Sequence, residues 1–269
     1  MREISSTGNP LVKAVSALVS KSSERKKQGA FVIEGIRAFR EAPPDRIKTI
    51  FVTDAFLEKC RTEDAGTIYG IESASCDKYR VSEDVMHRLS DTMHPQGILA
   101  VAEMRSSFVS DMFPQDRPPL IIVAERLQDP GNLGTVIRSG EGAGITGLML
   151  AGDTVDPYNP KTVRGTMGSI FRVPVVSCRD IKEAVGLLRE HGVTIYAADA
   201  DGVCDYDRAD LTAGCAFIVG NEGAGLTDDA KSLADALIRI PMLGSLESLN
   251  AAVCASVLMY EAARQRRNV

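Results

Sequence analysis

Several absences narrow this chain before any motif is considered. No apolar run is long enough to cross a bilayer. The opening MREISSTGNPLVKAVSAL lacks the uninterrupted apolar stretch of a secretory signal, so a cytoplasmic location is expected. The six cysteines (Cys60, Cys76, Cys178, Cys204, Cys215, Cys254) contain no Cys-x-x-Cys pair, and none of the three histidines sits at metal-ligand spacing from another. No metal is therefore expected, and the thiols read as small buried apolar residues of a reducing compartment. No Gly-x-Ser-x-Gly elbow exists, and no histidine is paired with a nucleophile, which removes Ser-His-Asp hydrolase chemistry. A net charge of −5 argues against indiscriminate nucleic-acid binding while leaving room for a local basic patch. Internal repeats and low-complexity segments are absent.

What is present fits an ordinary globular protein: 269 residues, 44% hydrophobic and 25% charged, enough for one large or two modest domains. Asn9-Pro10 reads as a helix start, followed by the apolar stripe Leu11, Val12, Val15, Leu18 and Val19. Lys13, Lys21, Arg25, Lys26 and Lys27 make this stretch basic, which a solvated helix end explains equally well. Strands are expected at 31–35, 49–53 and 97–104, with helices after residue 35 and over 79–91. The segment SSFVSDMFPQDRPP (106–119) carries three prolines and little periodicity, and its residues 106–117 read as a linker. Beyond it, strands are expected at 120–125, 147–152, 193–199, 215–220 and 237–242, and helices at 132–143, 180–191 and 248–265. This strand–helix alternation predicts an α/β fold with a mostly parallel sheet covered on both faces. The domains are then 1–105, a linker at 106–117, and 118–269.

Two permissive motif matches fail on context. Gly142-x-Gly144-x-x-Gly147 matches the dinucleotide fingerprint, but a helix precedes it and a strand follows, the reverse of what pyrophosphate binding needs. These glycines read as a helix terminator and tight turn. GNEGAGLT (220–227) resembles a P-loop by spacing, yet Leu226 stands where the phosphate-binding lysine belongs. A flexible backbone with exposed N–H groups at a strand end still suits a small polar ligand.

Three segments carry the functional signal: ERLQDPGNLGTVIRSGEGAG (125–144), FIVGNEGAGL (217–226) and IRIPMLGSLESLNAAVCASVLMYEAARQR (238–266). Each puts Gly, Asn, Glu, Arg or Ser where a strand ends, the ligand-binding edge of an open α/β sheet. Together, in this order, they resemble the three signature motifs of the SpoU (TrmH-like) RNA 2′-O-ribose methyltransferases of the SPOUT superfamily, over residues 118–269. The opening NPLVKAVSALVSK, the basic break after it and FVIEGIRAFREA are similar to the small N-terminal α/β/α substrate-binding domain of the family's rRNA-directed members.

The resemblance implies properties that the residue pattern alone does not. It implies a deep C-terminal trefoil knot over roughly 217–260, although knots are rare, and a homodimer formed through it. The implied cofactor is S-adenosyl-L-methionine and the implied partner is RNA, ribosomal before transfer RNA, with no metal and no membrane. Arg138 is implied to act at the 2′-hydroxyl as base or phosphate clamp. A guanidinium is almost never neutral, which favours clamping and polarisation; the residue type equally fits a surface helix arginine. Asn132 would shape the site, or simply cap its helix. Glu222 would order the loop around cofactor and substrate. Ser248 and Asn250 would organise the pocket, with Ser248 also suited to capping the last helix. Gly220, Ile240 and Leu249, with Asn221 and Gly225, would bind the cofactor chiefly through backbone groups, although the apolar side chains equally suit plain core. Asn159, Lys161 and Arg164 are candidates for RNA phosphates or a solvated loop. The expected activity is S-adenosylmethionine-dependent 2′-O-methylation of 23S ribosomal RNA. The alternatives are a tRNA methyltransferase, a small-molecule methyltransferase, and a catalytically silent RNA-binding protein of the same fold.

Overall fold

The computed structural model describes residues 1–267. The chain divides into two compact units. One comprises Met1–Arg105 together with Tyr158–Phe171; the other comprises Ser106–Pro157 and the chain from Arg172 onward. Residues 158–171, read above as part of the C-terminal domain, thus cluster with the first unit.

The first unit runs β1 (Arg2–Ile4), α1 (Pro10–Ser20), α2 (Ser22–Gln28), β2 (Ala30–Glu34), α3 (Ile36–Glu41), β3 (Ile47–Val52), α4 (Asp54–Glu63), α5 (Ala65–Ser73), β4 (Asp77–Val81), α6 (Glu83–Leu89) and β5 (Ile98–Glu103). Its five strands are ordered β1-β4-β3-β5-β2. β1, β4 and β3 are parallel, and β5 runs antiparallel to both β3 and β2. The helix stripe at the start of the chain does what its spacing predicts: Val12, Val15 and Leu18 face inward and meet Val32, Phe51 and Leu99 on the sheet. Full burial of each such aliphatic chain contributes about 1.5–3 kcal/mol. The helix expected over 79–91 is in fact a strand and then a helix, since Tyr79 and Val81 alternate inward on β4 before Ser82 caps α6.

The second unit begins with a 3₁₀ turn at Val109–Met112, inside the expected linker, whose Met112 is fully buried. It continues β6 (Leu120–Glu125), α7 (Pro130–Ala143), β7 (Gly147–Ala151), then α8 (Pro160–Thr166), which belongs to the first unit, and β8 (Val175–Cys178), α9 (Ile181–Glu190), β9 (Thr194–Ala198), β10 (Cys204–Asp205), β11 (Cys215–Val219), α10 (Asp228–Leu233), β12 (Ala236–Arg239) and α11 (Ala251–Arg266). Seven strands form one sheet in the order β10-β12-β9-β11-β6-β7-β8, and every pairing is parallel. One face carries Ile121, Val123, Ile195 and Ile218 against α9 and α10. α11 packs against α7, β11 and β6. Burial on both faces explains why β6 and β11 read as unbroken apolar runs.

From the central strand β6 the chain moves outward through β7 to β8, then crosses back to β9. β11 later inserts between β9 and β6. The strand order therefore reverses at β6 and β11, and the crevice beyond their carboxyl ends is the place for a ligand.

Candidate functional site

The loops that leave β6 and β11 meet at that crevice. Asp129 caps α7, its carboxylate accepting the Asn132 N–H at 2.8 Å, with Pro130 at the first helical position. The helix therefore starts two residues earlier than expected, and Asn132 is not its cap. Its amide is free to point sideways. Nδ2 donates to Glu222 Oε1 at 2.9 Å, and Oδ1 accepts from Asn250 Nδ2 at 3.0 Å. Asn250, not Ser248, caps α11, its Oδ1 accepting the N–H groups of Ala252 and Val253 at 3.0 and 3.3 Å. One amide–carboxylate chain, Glu222–Asn132–Asn250, thus ties all three sequence motifs together.

Glu222 takes two further donors, the N–H groups of Gln128 at 3.2 Å and Asp129 at 3.0 Å. Burial opposes its charge, but the Asn132 amide and the main-chain N–H groups of Glu222 itself, Asp129 and Gln128 outweigh it. The carboxyl is held below the ordinary glutamate range.

The glycine loop after β11 closes on itself. Asn221 N–H donates to Gly225 O at 3.1 Å, Gly225 N–H returns to Asn221 O at 2.9 Å, and Asn221 Oδ1 accepts from Gly223 and Ala224. Gly220 is dictated by this geometry: a Cβ there would lie 2.5 Å from the Gly225 carbonyl carbon and 2.6 Å from Leu226 N. Gly225 has φ of +68°, a conformation suited to glycine.

These loops and the start of α11 enclose a cavity of about 520 Å³, within the size range of cofactor sites. Gly220, Asn221, Gly225, Ile240 and Leu249 all line it, as do Glu222, Ser248 and Asn250. Asn132 joins through its two hydrogen bonds. Arg138 does not line the cavity. It is exposed on α7, and its guanidinium makes no hydrogen bond or ion pair among the described residues.

Asn159, Lys161 and Arg164 lie on the segment that clusters with the first unit. Asn159 caps α8 by accepting the Lys161 N–H at 2.9 Å. Arg164 is committed to carboxylates, Asp91 at 2.8 Å and the buried Glu34 at 3.8 Å. A phosphate there would compete with both.

Sequence reasoning missed several cavity residues, among them Asp199 and Cys254. Asp199 directly follows β9 in a run of alanines, and its carboxylate takes Lys231 Nζ at 2.6 Å. Burial opposes its ionisation, while the Lys231 and Asp201 donors prevail, and its pKa is lowered. Cys254 sits one turn into α11, and burial pushes its thiol up to about 11. Their signal was position after a strand and on a helix face, which is too common to single either out. Among the described residues no cluster of His, Cys, Asp and Glu is arranged to hold a metal, and no helix is long and apolar enough to cross a membrane.

Comparison with known proteins bears directly on this site. Residues 119–260 match the model of the SpoU rRNA Methylase family, and residues 9–100 match that of the MRM3-like substrate binding domain. The chain is 36% identical, over 97% of its length and 98% of the relative's, to the 23S rRNA (guanosine(2553)-2′-O)-methyltransferase RlmP of Bacillus subtilis. It is 32% identical, over 93% of its length and 88% of the relative's, to the 23S rRNA (uridine(2479)-2′-O)-methyltransferase of Streptomyces viridochromogenes. Among solved structures, the AdoMet-bound rRNA methyltransferase of Sinorhizobium meliloti superposes with a TM-score of 0.83 at 31% identity, covering 98% of this chain and 97% of that one.

Proposed function

Because the chain belongs to the SpoU rRNA methylase family, we propose that it transfers a methyl group from S-adenosyl-L-methionine to a ribose 2′-oxygen of 23S ribosomal RNA. The observation that carries this reading is the cavity at the β6/β11 crevice, lined by all five residues expected to hold the cofactor. The closed Gly220–Gly225 loop offers main-chain donors and acceptors at one wall, and Ile240 and Leu249 supply an apolar wall for an adenosyl group. When bound, S-adenosylmethionine supplies an electrophilic methyl on a sulfonium, whose departure as a neutral thioether needs no metal.

The residues around the cavity divide the remaining work. Glu222, Asn132 and Asn250 hold the three motif loops in register, so that the reacting oxygen meets the methyl in line. Ser248, exposed at the cavity edge, faces the incoming ribose. Arg138, with no counter-charge from the protein, clamps the phosphate beside the target and polarises the 2′-hydroxyl. The first unit binds RNA, with Asn159 and Lys161 on its RNA-facing segment and Arg164 buttressing that segment through Glu34 and Asp91. A homodimer formed through a knotted C-terminal region, working in the cytoplasm, completes the proposal.

The test is to incubate the protein with methyl-tritiated S-adenosylmethionine and unmodified total RNA, then to map any labelled ribose. Label at one 2′-oxygen of large-subunit RNA is expected, and Arg138→Ala should bind cofactor yet transfer at least about a hundredfold more slowly. Label in tRNA would replace the substrate. Absence of label, with ribosomal subunits also tried, would refute the catalytic reading.

A further inference from the structure

Arg126 is an unusual residue in an unusual place. It follows β6 directly at the crevice and has φ of +55°, the left-handed region that residues with a Cβ disfavour. Its backbone explains the conformation. The N–H donates to Ala151 O at 3.1 Å, and the carbonyl accepts from Asn221 Nδ2 at 2.9 Å. The left-handed turn is what aims that carbonyl at the cofactor loop. Glycine would make the same turn without strain.

The side chain has no such account. Arg126 is exposed, its guanidinium makes no hydrogen bond or ion pair among the described residues, and its stem merely lies against Gly152. The neighbouring backbone is fixed on both flanks: Leu127 O accepts from Val155 N–H at 2.9 Å, and Gln128 N–H donates to Glu222. A free guanidinium is thus presented from a left-handed turn at the carboxyl end of β6, on the Gly152 side and not among the residues that line the cavity, in a chain whose net charge is −5. Strain retained at a site margin without a folding benefit from the side chain points to a ligand for that side chain.

We infer that Arg126 binds a backbone phosphate of the RNA strand next to the target nucleotide, as a second guanidinium clamp alongside Arg138. This inference rests on the RNA methyltransferase reading above. The bidentate fork of arginine matches phosphate oxygens, and a contact of this kind positions RNA without reading its sequence.

Two variants separate charge from backbone. Arg126→Gly removes the guanidinium and relieves the strain. Arg126→Met keeps the stem and the strain without the charge. Filter binding of unmodified, in vitro transcribed 23S RNA would be measured across a salt series, together with methyl transfer to it, calorimetric binding of S-adenosylhomocysteine and thermal unfolding. Both variants should weaken RNA binding roughly tenfold at low salt, and the slope of log Kd against log salt should shrink by about 0.7–0.9. S-adenosylhomocysteine affinity should stay unchanged, and Arg126→Gly should melt no lower than wild type. Wild-type RNA affinity and salt slope in both variants would overturn the inference alone. A wild-type protein that neither binds nor methylates RNA would overturn the functional reading, and this inference with it.

Discussion

Asn132→Asp is the sharpest probe of the site, because it changes one NH₂ group to an oxygen and little else. In the wild type that NH₂ donates to Glu222 at 2.9 Å, while the other end of the amide accepts from Asn250 at 3.0 Å. The aspartate keeps the second bond and inverts the first, setting two carboxylates face to face. Losing a hydrogen bond to a charged acceptor costs about 1.5–3 kcal/mol. Repulsion at the wild-type separation adds between about 1.4 kcal/mol at the dielectric of water and about 6 kcal/mol at an effective dielectric of 20. Glu222 is exposed, so solvent screening and side-chain movement hold the repulsion near the lower figure. A total near 3 kcal/mol lowers the population of the ordered loops, and with it S-adenosylhomocysteine affinity, by roughly a hundredfold. The pH dependence is diagnostic. Two adjacent carboxylates raise the pKa of the pair, so the defect is complete at pH 8 and shrinks as the pair takes up a proton on acidification. Asn132→Ala loses both hydrogen bonds but adds no charge, so its defect should be of similar size at pH 8 and insensitive to pH over the same range. Calorimetric titration of both variants at pH 5.5 and pH 8 decides the matter. Wild-type affinity in both variants at pH 8, or an aspartate defect that does not shrink on acidification, would refute the bridging role of the Asn132 amide.

Two further perturbations reach other walls of the cavity. Gly220→Ala drives a methyl into the Gly225 backbone at 2.5 Å, so the Gly220–Gly225 loop must open. S-adenosylhomocysteine affinity should fall at least about tenfold, while the unfolding midpoint moves by only a few degrees, since the strain falls on a surface loop; wild-type affinity by calorimetry would contradict the closed-loop geometry. Cys254, with its thiol pushed up to about 11 by burial, should resist alkylation. About one thiol in a thousand is ionised at pH 8, so peptide mass spectrometry should find Cys254 the slower site when compared with a free thiol standard under iodoacetamide. Rapid labelling at that pH would show the cavity wall to be far more open.

The sequence made the second unit legible because its strands are apolar on both faces and its loops begin at Gly, Asn and Pro. It was a poorer guide where partners are distant. α5 carries Gly66 and Gly70, which weaken helix propensity, and no stripe announced it. β4 alternates as DKYRV, half polar, and was absorbed into the helix that follows. Residues 158–171 look locally like any helix with a proline start. That Tyr158 and Phe171 close on Phe31, at ring separations of 4.7 and 5.7 Å, is a packing fact written more than a hundred residues away. Arg164 shows the same limit: its type suggested phosphate, while Glu34 and Asp91, its actual partners, lie outside any local window. Within the site, the helix-cap alternatives open to Asn132 and Ser248 fall instead to Asp129 and Asn250. Asp, Ser and Asn all cap well, so residue type alone does not choose among neighbours; Pro130 marks the first turn of α7, and no such marker precedes α11.

The cap assignments change the chemistry that can be asked of each motif residue. Had Asn132 capped α7, its amide would be spent on the helix and Glu222 would lack its strongest donor. With Asp129 as cap, Asn132 is released to orient a carboxylate that then receives three N–H groups. A carboxylate so satisfied, and held below its ordinary pKa, is a weak proton acceptor. Glu222 is therefore suited to holding loops and unsuited to deprotonating a ribose hydroxyl. Its ordering contribution is present above the ordinary glutamate pKa and is lost as pH falls through the lowered value. Asn250 caps α11 with its oxygen and orders Asn132 with its nitrogen, so its amide is fully used as well. Around the crevice, the Arg138 and Arg126 guanidiniums, the Ser248 hydroxyl and the Glu247 carboxylate have no hydrogen bond or ion pair from their side chains among the described residues. With Glu222, Asn132 and Asn250 committed to internal order, the phosphate contacts proposed above fall to the two free guanidiniums.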